Sequence, residues 1–202
     1  MTETYQRILQ APAGVPVAEI GSFLVQMDDQ NRRLLEDTAG ATVDELSWQS
    51  QPGMNTIGML LAHIAIVEVF WLALANDATA DCMSVLGIGE DDDGIPLAED
   101  GAPPAALAGK DLAFFAELLQ KARSNSYAIG RAWSAADLER RFQRTRKDGN
   151  TWTFNVRWVL YHVLEHLAGH YGQVNLLRHE YRASRVTAAA PGAAKRSPHG
   201  SA

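Results

Sequence analysis

Residues 157–181 read RWVLYHVLEHLAGHYGQVNLLRHEY. Four of the chain's six histidines, His162, His166, His170 and His179, fall in this run, three of them at every fourth position. An α-helix advances about 100° per residue. With His166 at zero, Val159 and Leu177 fall at about 20°, His170 at about 40°, Val163 at about 60° and Val174 at about 80°. His162 falls at about -40° and Gln173 at about -20°. His166 and His170 therefore lie inside an apolar stripe that should face a core. His162 is nearer its margin. Glu165, Gly172, Asn175 and Arg178 fall outside it, and His179 reads as a surface residue.

A second segment, IGMLLAHIAIVEVFWLALA, repeats the pattern. With His63 at zero, Leu74 falls at about 20°, Val67 at about 40°, Leu60 at about 60° and Phe70 at about -20°. His63 is centred on its stripe, whereas Glu68 lies at about 140°, on another face. Two helices thus turn histidine toward one core. A buried imidazole without a partner costs about 1–3 kcal/mol, so three need compensation. A divalent ion compensates all three at once. Residues at i and i+4 are neighbours on a helix, so His166 and His170 can take adjacent positions on one ion, and His63 can supply the third. Three neutral histidines and an open position make a catalytic zinc centre, and nickel, iron or cobalt also accept imidazole. The bland alternative is a set of core histidines, each hydrogen-bonded on its own. The spacing also permits His162 with His166 as the pair, although centring favours His166 with His170.

Working outward, Pro- and Gly-rich punctuation at APAGVP, SQPGMN, GIP to GAPP, KDGN and PGAA separates long stretches of helical periodicity. Four helices are expected: about Val17–Thr38, about Asn55–Ala75 with Asn55 or Thr56 as cap, about Ala105–Ala132, and about Thr153–Arg182 with Thr153 as cap. LERRFQRTRKDGNTWTF can form a short hairpin around Asp148-Gly149. Residues 76–104 read as a long crossing loop with a short helical piece. Its EDDD at 90–93 lacks the spaced ligands of an EF-hand and reads as a solvated acidic loop. The expectation is an all-α four-helix bundle with a crossing loop and a short hairpin before the last helix. Residues 1–184 form the domain, and 185–202, which hold His199, form a disordered tail.

The chain has 202 residues, 47% of them hydrophobic, and a formal net charge of -6. The acidic balance argues against a nucleic-acid binder. The start MTETYQRILQ lacks a basic, then apolar, signal pattern. Cys82 is the only cysteine, so no internal disulfide is available. The apolar segment around His63 reads as a core helix and not a membrane span. These features together predict a cytoplasmic protein that binds neither membrane nor nucleic acid. There is no nucleophile elbow, phosphate loop, dinucleotide fingerprint or E-x-x-H pair.

NTIGMLLAHIAIVEVFW followed by RWVLYHVLEHLAGHYGQVNLL resembles the DinB-like family of metal-binding four-helix bundles, including the branches related to YfiT. The resemblance runs from about Val17 to Arg182. It implies His63, His166 and His170 as metal ligands, zinc or nickel as the metal, and a homodimer. Some relatives carry glutamate at the position of His166. Others are thiol-dependent transferases or isomerases in which the metal holds a low-molecular-weight thiol as thiolate.

The chemistry expected of such a site is transfer of a thiol to a small electrophilic substrate, with hydrolysis or isomerisation as variants. The alternative is a non-catalytic, stress-related bundle that binds metal or a ligand. His162 is the candidate acid–base residue. Gln173 is the candidate partner of a ligand imidazole or of substrate. Tyr161 and Glu165 point elsewhere on the wheel. Gly169 and Gly172 could admit a close helix neighbour or a ligand. Trp71, Phe70, Trp152 and Trp158 could line a pocket mouth or pack in the core.

Overall fold

The computed structural model describes residues 7–145 and 148–189. The long helices are α1 (Ala18–Thr38), α3 (Ile57–Ala75), α5 (Leu112–Ala132) and α6 (Val156–Ala189). Two short helices, α2 (Val43–Ser47) and α4 (Cys82–Leu86), lie in the connections. An antiparallel hairpin, β1 (Arg141–Thr145) and β2 (Thr151–Asn155), precedes α6. Among the long helices α3 packs on α5 and α6, and α1 packs on the same two, which closes a four-helix bundle.

Local chemistry sets the boundaries. The Thr56 hydroxyl accepts from Met59 N–H and starts α3. The third long helix begins at Leu112, not Ala105. Gly109 takes φ +70°, which breaks the run, and Asp111 then caps the helix by accepting from Phe114 N–H at 3.0 Å. Residues Ala105–Leu107 form only a 3-10 turn. The last helix begins at Val156, not Thr153. The alternation in TWTFN pairs with RFQRT, placing Thr153 opposite Gln143 in the hairpin. Asn155 is the cap instead, its side-chain oxygen accepting from Trp158 N–H at 2.8 Å. At its far end α6 runs past Arg182 to Ala189. The expected disordered tail therefore begins as helix, and from position 190, including His199, it lies outside the described residues.

The core is centred on α3, whose side chains are buried on nearly every face. Ile57–Ala75 is long and apolar enough to cross a membrane, but 72% of its most apolar window is buried inside the bundle. Gly58 lets α5 approach, since a Cβ there would stand 2.8 Å from Phe115 Cζ. Even the face that carries Glu68 is inside. Arg123 Nη2 donates to Glu68 at 3.0 Å and the Ser126 hydroxyl donates at 2.6 Å. Burial pushes the Glu68 carboxyl up, against the pull of Arg123 and Ser126. Arg178, off the apolar stripe by the wheel, is also buried, because α2 packs Glu45 over it at 2.7 Å. A wheel reads one helix against one neighbour, and α2 adds a neighbour on the other side.

Candidate metal centre

His63 comes from the middle of α3, and His166 and His170 from successive turns of α6, where that helix packs against α3. One ring nitrogen from each histidine lies within 4.8 Å of the other two. His166 Nε2 is 3.2 Å from His63 Nε2 and 3.0 Å from His170 Nε2. His170 meets both other rings edge to face, with its centroid 4.3 Å from that of His166 at 76° and 5.1 Å from that of His63 at 87°, and His63 and His166 are tilted at 51°. All three histidines are partly exposed.

The outer nitrogens decide what the inner ones present. His63 Nδ1 donates to Asp93 Oδ2 at 2.8 Å, and His170 Nδ1 donates to the Gln173 amide oxygen at 2.8 Å. Both acceptors fix the hydrogen on Nδ1 and leave an Nε2 lone pair facing inward. Two lone pairs then converge on His166 Nε2. A hydrogen there would be shared between two acceptors, and adding a proton is resisted. Burial lowers the His166 pKa to about 3, with His170, His63 and His162 adding to the effect. Burial also lowers His170, against the Gln173 hydrogen bond. A divalent cation accepts all three lone pairs without adding a proton, so the donor set fits a divalent metal ion.

Asp93 was not singled out by the sequence. It is the last acid of EDDD, and its neighbours behave as a solvated run would: Glu90 and Asp91 are exposed. Asp92 turns inward only to accept from Gly89 N–H at 2.6 Å. Asp93 is 2% exposed and also accepts from Ile95 N–H at 3.0 Å. The reading of 90–93 as wholly solvated is therefore corrected at its last residue. A loop residue 30 positions from its partner has no periodicity to reveal it.

His162 stands apart from the three-nitrogen cluster. Its ring stacks on Trp158 at 4.6 Å and 12°, its centroid is 5.9 Å from that of His166, and its Nδ1 lies 3.1 Å from Glu165 Oε1. It borders the site and belongs to an aromatic pocket beside it. Glu165 and Tyr161 sit on the outer side of α6 and bond each other at 2.9 Å. Gly169 and Gly172 have no neighbour within 4 Å of a built Cβ, so they do not serve close helix packing. Cys82 is buried, and burial first, then Glu90, Asp81 and Asp93, pushes its thiol up to about 11. A buried thiol with a raised pKa is a poor nucleophile.

The family model described as the DinB superfamily matches residues 26–174, which include α3, the crossing loop and α6 through Val174. No curated protein matches the chain.

Proposed function

The chain belongs to the DinB superfamily, and on that footing we propose that it is a metal-dependent enzyme that joins a low-molecular-weight thiol to a small electrophile. Three inward Nε2 atoms on partly exposed histidines, two of them oriented by Asp93 and Gln173, carry the proposal. His63, His166 and His170 would hold zinc or nickel. With three neutral ligands the ion keeps its full charge and would favour ionisation of a thiol, or of water in a hydrolytic variant.

The chain's own residues supply the rest. Asp93 and Gln173 hold two imidazoles in the ligating tautomer. The partly buried setting of His166 keeps that ring unprotonated at neutral pH. His162, which borders the cluster and the aromatic pocket, would take the thiol proton. The thiolate sulfur then forms a carbon–sulfur bond, and the leaving group departs with the electron pair of its own bond to carbon. The homodimer implied by the family resemblance and the cytoplasmic location expected from the sequence complete the proposal.

The test is cobalt-loaded protein titrated with a small thiol, followed by turnover of dinitrochlorobenzene. A sulfur-to-cobalt charge-transfer band that saturates, with turnover lost in His63→Ala, supports the reading. Cobalt bound without any thiol-dependent band or turnover would instead favour a binding protein.

A further inference from the structure

Beside the histidine cluster, the hairpin leans over the start of α6 and the end of α3 and leaves a cavity of about 220 Å³. Its wall is aromatic. Trp71 meets Phe154 at 5.3 Å and Trp158 at 5.5 Å, both edge on, and Phe154 lies against Trp158 at 4.6 Å. Trp158 continues the stack onto His162, which also meets Trp71 edge on at 5.0 Å. Trp152, 52% exposed, lies on the rim. Flat faces and edges presented at right angles favour a flat guest. The volume falls below the roughly 300–1,000 Å³ of drug-sized sites, so the guest has one or two rings.

Two charges line this cavity. Glu165 is committed: one oxygen accepts from Tyr161 and the other lies against His162 Nδ1, and these bonds, His162 first, hold its carboxyl low. Arg144 is not. Its guanidinium stands 4.8 Å from the Phe70 ring centre and 5.7 Å from that of Trp71, and among the described residues no carboxylate pairs with it. The charge that lacks an ion-pair partner among the described residues is therefore positive, and its planar fork suits a carboxylate. A cationic guest would find the aromatic faces of Phe70 and Trp71 already taken by a cation.

We infer that this cavity binds a planar, ring-bearing carboxylate, held against its aromatic wall with its acid group on Arg144, and so presents it beside His162 and the histidine cluster. The inference rests on the proposed enzyme for its chemical purpose, but the binding itself needs no metal. It makes an aryl or conjugated carboxylic acid the substrate class.

Calorimetry with naphthoate on the full chain tests it, with zinc content measured on the same samples. Naphthoate should bind, its saturated decahydro counterpart should bind at least about tenfold more weakly, and Arg144→Gln should cost naphthoate about tenfold or more. Naphthamide, which lacks the charge, should be indifferent to Arg144→Gln. Equal binding of naphthoate to wild type and Arg144→Gln, equal binding of the saturated acid, or no binding at all would overturn the inference. Zinc uptake that persists in those cases leaves the metal centre standing. Charge-dependent naphthoate binding by protein that takes up no zinc would keep the pocket and remove the enzyme.

Discussion

Replacing Asp93 by alanine should weaken metal binding without dismantling the bundle. The Asp93 carboxylate is 3% exposed and accepts from His63 Nδ1 at 2.8 Å, inside the range of charge-assisted bonds. Such a bond contributes about 1.5–3 kcal/mol net. Its loss frees the His63 ring to turn and lets its hydrogen move to Nε2, the nitrogen that faces the cluster. If that energy is felt at the metal, affinity falls about 10–100-fold, the range seen when a residue supporting a ligand histidine is removed. This is about 1.4–2.7 kcal/mol of binding free energy. The assay is competition for zinc against a chromophoric chelator at fixed pH, on wild type, Asp93→Ala and His63→Ala. Melting of the metal-free proteins would be recorded in parallel, because Asp93 also holds Ile95 N–H. Asp93→Ala should lie between wild type and His63→Ala. Wild-type affinity in a folded Asp93→Ala protein would refute the claim that this carboxylate tunes the site.

Acid should destabilise the metal-free protein through the same cluster. The folded pKa values of His166, about 3, and of His170 lie below the ordinary histidine value, so between there and pH 6.5 the unfolded chain binds more protons. Stability from these rings is therefore full above pH 6.5 and is lost as pH falls toward the folded values. Thermal melting of metal-free wild type should drop across that window, and His166→Phe should flatten the drop; parallel curves for the two would contradict this. Glu45→Ala should cost about 3–5 kcal/mol in urea unfolding, because it leaves Arg178 buried without its partner. Joint replacement, Glu45→Leu with Arg178→Met, should recover most of the loss, and equal losses in single and double variants would argue against the pair. Gly58→Ala should cost about 1–3 kcal/mol, since Phe115, 1% exposed, has no room to yield to a new methyl. An unchanged midpoint would contradict a tight α3–α5 contact at Gly58.

Periodicity made the bundle legible because long helices repeat their apolar faces many times. The stripes centred on His63, His166 and His170 also predicted which helices would meet, and the structure brings those three rings together. Gln173, one turn beyond His170, was within reach of the same reasoning. What stayed hidden depends on chain segments with no period. Nothing in EDDD distinguishes Asp93 from its neighbours, and only the folded crossing loop brings it to His63. Thr153 looked like a helix cap because a lone threonine before an apolar run has that look. Its pairing with Gln143 needs the partner strand. Arg178 and Glu68 misled the wheel in a related way. The wheel treats charge as a sign of solvent, whereas each here meets an opposite charge carried by a distant element.

The central claim is a metal held between α3 and α6. Its most direct test is elemental mass spectrometry of tag-free protein purified without nickel resin or chelator, alongside His63→Ala and His170→Ala. The account predicts near-stoichiometric zinc or nickel in the wild type and loss in both variants, one from each helix. A wild-type protein that carries no metal and takes up neither zinc nor nickel on addition would contradict it. The three histidines would then be hydrogen-bonded members of the core.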